Sequence, residues 1–123
     1  MVELQQAEVD DVIAGLNYLK SRPFVDPARI AISGCSYRDR LIRAVDLVKA
    51  PVFLIQAEND YNLAPSQVLS KEANKKHKNF QSKIYPAFDS TQQDGHWGFC
   101  SSATDVWGND VLAFLETRMK ASH

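Results

Sequence analysis

Between Ala7 and Lys20 the apolar residues Val9, Val12, Ile13, Leu16 and Leu19 recur at three- and four-residue steps, and Glu8, Asp10, Asp11, Asn17 and Lys20 fall between them. That spacing predicts an amphipathic helix with one buried face. Pro23 ends it, and Phe24-Val25-Asp26-Pro27 reads as a turn because Pro27 pushes Asp26 out of the helical region. The next run, Arg29-Ile30-Ala31-Ile32-Ser33, is short, β-rich and closed by Gly34, which predicts a strand. A turn and a helix start are expected around Cys35-Ser36-Tyr37.

From Arg38 to Val48, Leu41, Ile42, Val45 and Val48 lie at helical spacing with Asp39, Arg40, Arg43 and Asp46 outside, so a second amphipathic helix is expected. After Pro51 comes the continuous apolar run Val52-Phe53-Leu54-Ile55, the pattern of a strand covered on both faces. Pro65-Ser66 starts a helix that carries Val68, Leu69 and Ala73 and ends in Lys75-Lys76-His77-Lys78, whose charge suits a helix C-terminus. Gln81 to Tyr85 is a weaker strand stopped by Pro86, and Phe88 to Cys100 reads as an irregular loop. Asp105 to Lys120 sets Trp107, Val111, Phe114 and Leu115 on one face of a terminal helix. Helix and strand alternate throughout. The expected fold is therefore α/β, with helical layers around a short parallel sheet of about three strands.

Length and composition narrow the function classes. At 123 residues, with 45% hydrophobic and 24% charged residues, the chain is expected to form one globular domain over residues 1–123. Its 14 basic and 15 acidic residues give a net charge of −1, which leaves no excess to neutralise a phosphate backbone. Neither nucleic acid nor a membrane is an expected partner. The apolar stretch Ala50 to Ile55 is far short of the roughly 20 residues that cross a bilayer, and Met1-Val2-Glu3-Leu4-Gln5-Gln6 lacks a basic and an apolar leader region. A cytoplasmic location follows as an expectation, together with reduced thiols at Cys35 and Cys100, the two cysteines. His96 and Cys100 are four apart, but Gly98 lies between them and no third ligand is near in sequence, so no metal is expected.

Chemistry concentrates at three places. Gly34-Cys35-Ser36-Tyr37-Arg38 matches four of the five positions of the G-x-S-x-G nucleophile elbow, whose sharp strand-to-helix turn presents a serine hydroxyl. Glu58-Asn59-Asp60 follows the run Val52 to Ala57, and Gly95-His96-Trp97-Gly98 lies in the loop after Gln81 to Tyr85. A nucleophilic serine needs a base to take its proton, and that imidazole needs a carboxylate to fix its tautomer. Ser36, Asp60 and His96 supply these roles in the chain order Ser, Asp, His. Each falls at the C-terminal end of an expected strand, where sites in parallel α/β sheets lie. The rival readings are a turn serine capping the next helix for Ser36, which is the better one for that residue alone, a strand terminator for Asp60 with Glu58 as competing carboxylate, and a structural loop histidine for His96. The combination favours the triad.

Three segments carry a family resemblance: Arg29-Ile30-Ala31-Ile32-Ser33-Gly34-Cys35-Ser36-Tyr37, then Ala50-Pro51-Val52-Phe53-Leu54-Ile55-Gln56-Ala57-Glu58-Asn59-Asp60, then Gly95-His96-Trp97-Gly98-Phe99. Together they resemble the α/β-hydrolase superfamily in its dienelactone-hydrolase-like branch. The resemblance implies a serine hydrolase acting on carboxylic esters, with Ser36 as nucleophile, His96 as base, Asp60 as acid and the Tyr37 backbone N–H as an oxyanion donor. It implies a small-molecule ester as substrate and no cofactor.

The departures from the family are equally specific. Its members have about eight strands, and this chain corresponds to their C-terminal part. Where the family continues after Tyr37 with Gly, a long helix and another strand, this chain passes into Arg38-Asp39-Arg40-Leu41, so Arg38 resembles a junction after an internal deletion. The loop that gives the family its second oxyanion donor has no counterpart, and loss of one such donor typically slows acyl transfer by about 10²–10³. The rival reading is a catalytically silent α/β module that self-associates through exposed sheet edges, and a homo-oligomer is expected.

Overall fold

The computed structural model describes residues 2–34 and 49–119. The chain divides into two compact units, residues 1–32 and 33–123. The expected elbow turn at Cys35-Ser36-Tyr37 and the expected helix over Arg38 to Val48 lie outside the described residues.

The first unit is built on α1, Val2–Lys20. It begins before the apolar repeat and ends where the repeat does. Past its last turn, the Ser21 N–H donates to the Asn17 and Tyr18 carbonyls at 3.2 and 3.1 Å, and Arg22 N–H to Leu19 O at 3.0 Å. The turn at Pro27 forms as expected around Asp26, whose Oδ1 accepts the Ala28 N–H at 2.9 Å. Two expectations fail here. The apolar stripe of α1 is not buried: Val12 and Ile13 are each 50% exposed, and of the stripe only Leu16 is half-buried. Periodicity fixes which face a helix would bury but does not supply the surface to bury it against. The strand expected over Arg29 to Ser33 is also absent, for residues 30–34 carry no regular structure and Ile32 is 65% exposed. A β-rich run is an extended strand only when a neighbour pairs with it and its side chains are covered.

The second unit holds a parallel β–α–β arrangement. Strand β1, Val52–Ala57, leads through helix α2, Ala64–Lys75, to strand β2, Phe80–Tyr85. The strands pair in register from Val52 opposite Phe80 to Ala57 opposite Tyr85. Among the described residues the sheet has these two strands rather than about three. Side-chain alternation assigns the two faces of β1. Leu54 packs with Phe80 against buried Leu69 and Ala73 of α2, while Ile55 and Ala57 join Tyr85, Phe88, Phe99, Ala103 and Trp107 on the other side. That second side is covered by the last helices, α3 (Phe99–Ser102) and α4 (Thr104–Arg118), with the Phe114 ring 5.3 Å from that of Phe53.

Helix α2 stops through backbone geometry at its basic end. His77 takes a left-handed φ of 51°, the His77 N–H reaches Asn74 O at 3.1 Å, and the Lys78 N–H reaches Ala73 O at 2.9 Å. These two bonds form a Schellman stop, with histidine where glycine is usual.

The segment from Phe88 to Cys100 departs most from its expected irregularity. It becomes helical from Gln92, passes through a π-helical turn at Asp94–Gly98 and runs into α3. A Thr91–Asp94 box starts it: the Thr91 N–H donates to Asp94 Oδ2 at 3.0 Å and the Asp94 N–H to Thr91 Oγ1 at 3.1 Å. The Thr91 bonds hold the Asp94 carboxyl below its usual range.

Candidate functional site

Strands β1 and β2 run parallel, so their C-terminal ends, Ala57 and Tyr85, lie side by side. Past β1 the chain turns through Glu58-Asn59-Asp60, with the Asp60 N–H donating back to Ala57 O at 3.1 Å. Past β2 it reaches the π-helical turn that carries His96. Two residues 36 apart in sequence thus meet: His96 Nδ1 stands 2.9 Å from Asp60 Oδ1. The Asp60 side chain is 9% exposed and that of His96 20%. The rival carboxylate, Glu58, is exposed, and its N–H continues the sheet by donating to Tyr85 O at 2.8 Å.

A carboxylate can only accept, so the His96 nitrogen facing Asp60 is the one that carries hydrogen, and Nε2 keeps the basic lone pair. Aromatic rings restrain the imidazole. Tyr61 lies 5.4 Å from it in a tilted contact, Trp97 lies edge-on at 5.5 Å, and the Tyr61 hydroxyl donates to Gln93 on the same turn.

The second oxygen of the acid is also engaged. Gln56 Nε2 donates to Asp60 Oδ2 at 3.0 Å and to Asn62 O at 3.1 Å, and Gln56 Oε1 accepts from the hydroxyl of buried Ser66 on α2.

Asn59 ties the acid turn to the histidine segment. Its Nδ2 donates to Phe88 O at 2.9 Å and Thr91 O at 2.7 Å, and its Oδ1 accepts the Phe88 N–H at 2.9 Å. Gly95 fits against that same residue so closely that a Cβ there would lie 2.5 Å from Asn59 Oδ1 and 2.6 Å from the Asn59 carbonyl carbon. Sequence reading gave Gln56, Asn59, Ser66 and Thr91 no part in the site. Thr91-Gln92-Gln93-Asp94 did carry a signal, the [ST]-x-x-[DE] helix start. The others act on atoms brought together only by folding.

Ser36 and Tyr37, the expected nucleophile and oxyanion donor, lie outside the described residues. Among the described residues no group of three or more His, Cys, Asp or Glu side chains is placed to hold a metal ion. Cys100 is disulfide-bonded, which corrects the expectation of two reduced thiols. Sequence separation is no guide to whether a sulfur finds a partner in space. Disulfides are rare in reducing compartments, so this bond removes the thiol argument for a cytoplasmic location. Among the described residues, no helix is long and apolar enough to cross a membrane.

The comparisons with known proteins add one finding. No curated protein and no solved structure matches the chain. Residues 2–37 match the model of the prolyl oligopeptidase family, Peptidase_S9, over a segment that includes Ser36 and Tyr37 and stops short of Asp60 and His96. This match covers under a third of the chain and is a local likeness to a serine-hydrolase family with the α/β-hydrolase fold.

Proposed function

We propose that the chain hydrolyses carboxylic esters through Ser36, His96 and Asp60, as a shortened relative of the dienelactone-hydrolase-like branch. The observation that carries this reading is the His96 Nδ1 to Asp60 Oδ1 contact of 2.9 Å, formed where the C-terminal ends of two parallel strands adjoin. Ser36 Oγ attacks the ester carbonyl carbon while His96 Nε2 takes its proton, and Asp60 stabilises the imidazolium that results. The Tyr37 N–H donates to the oxyanion of the tetrahedral adduct. His96 then returns the proton to the departing alkoxide. Water, activated by the same nitrogen, releases the acid and restores Ser36.

A second reading has its own support. The family match is to a peptidase family, which favours attack at an amide carbonyl by the same three residues. The experiment pairs p-nitrophenyl esters of graded acyl length with peptide p-nitroanilides and includes Ser36→Ala. Ester turnover that disappears in Ser36→Ala and exceeds anilide turnover is the expected result. The reverse preference selects the peptidase, and turnover that survives Ser36→Ala at full rate overturns both. A fluorophosphonate probe separates either enzyme from a silent module, which leaves Ser36 unlabelled.

A further inference from the structure

The acid of the Asp60–His96 pair is gripped from behind by a side chain with no part in the proposed proton transfers. Asp60 has two carboxylate oxygens, and they face different partners: Oδ1 faces His96 Nδ1 at 2.9 Å, and Oδ2 accepts from Gln56 Nε2 at 3.0 Å. The orientation of the Gln56 amide follows from its neighbours. Asp60 Oδ2 and Asn62 O can only accept, so the NH₂ must face them, and Oε1 must face Ser66, whose hydroxyl then donates. Ser66 is 2% exposed and lies in the first turn of α2, so it is anchored by the packing of that helix against the sheet. A continuous path runs from α2 through Ser66, Gln56 and Asp60 to His96. A carboxylate held by one oxygen alone can swing about its Cβ–Cγ bond, whereas one held by both oxygens has its plane fixed.

We infer that Gln56, held in place by Ser66, is a positioning residue that sets the plane of the Asp60 carboxylate so that Oδ1 faces His96 Nδ1. This deepens the hydrolase reading and rests on it for its catalytic consequence, but the geometry itself has a readout that does not need turnover. A histidine whose Nδ1–H is held by a carboxylate gives a far-downfield proton resonance, which His96→Asn assigns by removing it. The variant of choice is Gln56→Glu, which keeps size and shape and exchanges the donor for an oxygen that repels Asp60 Oδ2. A residue that merely fills space tolerates this change.

The wild-type protein is expected to show the resonance, and Gln56→Glu to lose or broaden it. The kcat on a p-nitrophenyl ester is expected to fall about 10–100-fold, the usual range for losing an outer partner that orients a reactive group, with KM nearly unchanged. Ser66→Ala, which releases the amide without adding charge, is expected to fall between the two. The double variant should be no worse than Gln56→Glu, because both changes cut one path. A wild-type protein without the resonance overturns the inference, and so does a resonance unaltered in both folded single variants. If the resonance responds to Gln56 while no ester or anilide is turned over, the positioning role stands and the hydrolase reading fails.

Discussion

At the scale of single residues, the candidate site depends on how closely two turns approach. Gly95 lies one residue before His96, and its missing Cβ makes room for Asn59, one residue before Asp60. The nearest atoms include the backbone carbonyl carbon of Asn59 at 2.6 Å, so a methyl group cannot be accommodated by a side-chain rotation. Gly95→Ala is therefore expected to push the π-helical turn away from the acid turn, destabilising the protein by about 1–3 kcal/mol as overpacked interiors do. It should also weaken the His96–Asp60 contact. The checks are urea unfolding and the proton resonance of His96; unchanged values for both would show that the turns have slack. Sequence reading picked out Gly95-His96-Trp97-Gly98 for the histidine, yet the reason for the first glycine was not legible. Its neighbour Asn59 bonds to carbonyls 29 and 32 residues away, and no local pattern announces such a bond.

At the scale of elements, β2 and α4 are joined by a polar cluster. The Tyr85 hydroxyl and the Lys83 ammonium both donate to Asp110 Oδ2, and Tyr85 is 4% exposed. Burial first, then the hydrogen bond to Asp110 and that carboxylate's charge, push the Tyr85 phenol above its ordinary range. Lys83 and then Tyr85 hold the Asp110 carboxyl below its own. A phenol raised in the folded state contributes stability that is fully present below its unfolded pKa of about 10 and is lost as pH rises beyond it. Wild-type urea midpoints should accordingly fall between pH 10 and 11.5. Tyr85→Phe is expected to lose about 1 kcal/mol at pH 7 with its hydrogen bond, and to show a shallower alkaline decline. Parallel curves for the two proteins would remove Tyr85 from the account.

The same elements show what a sequence can and cannot convey. Strand β1, helix α2 and strand β2 were legible because β1 is a continuous apolar run after Pro51, α2 carries helical spacing from Pro65, and β2 is stopped by Pro86. The helical stretch around His96 was not, because Asp, Gln and Gly composition outweighed the Thr91–Asp94 start signal. The run Arg29 to Ser33 failed for the opposite reason: its local preference for strand is real, but a strand also needs a partner.

At the scale of the whole molecule, few of the apolar residues among those described are fully buried. The buried hydrophobic residues among those described are Ala57, Leu69, Ala73, Tyr85, Phe99 and Ala103, half of them alanines. Meanwhile Phe24 is 82% exposed, and Val9, Leu19, Val68, Ile84 and Leu112 are exposed as well. Two-stranded sheets gain stability from further strands or covering helices, and here β2 presents Gln81, Ser82, Lys83 and Ile84 to solvent. Among the described residues β1 is the neighbour of β2; association would add another and would cover apolar surface at a free-energy gain of roughly 25 cal/mol per Å². Lys83 opposes it, because a charged edge residue discourages pairing, but its ammonium is already bonded to Asp110 on α4. We propose that the chain forms a dimer or larger assembly in solution. Light scattering with size exclusion is expected to give at least twice the monomer mass, with dissociation on dilution. A monomer at all concentrations would show that the exposed residues are tolerated singly, and that the short sheet, covered by α2 and α4, is sufficient alone.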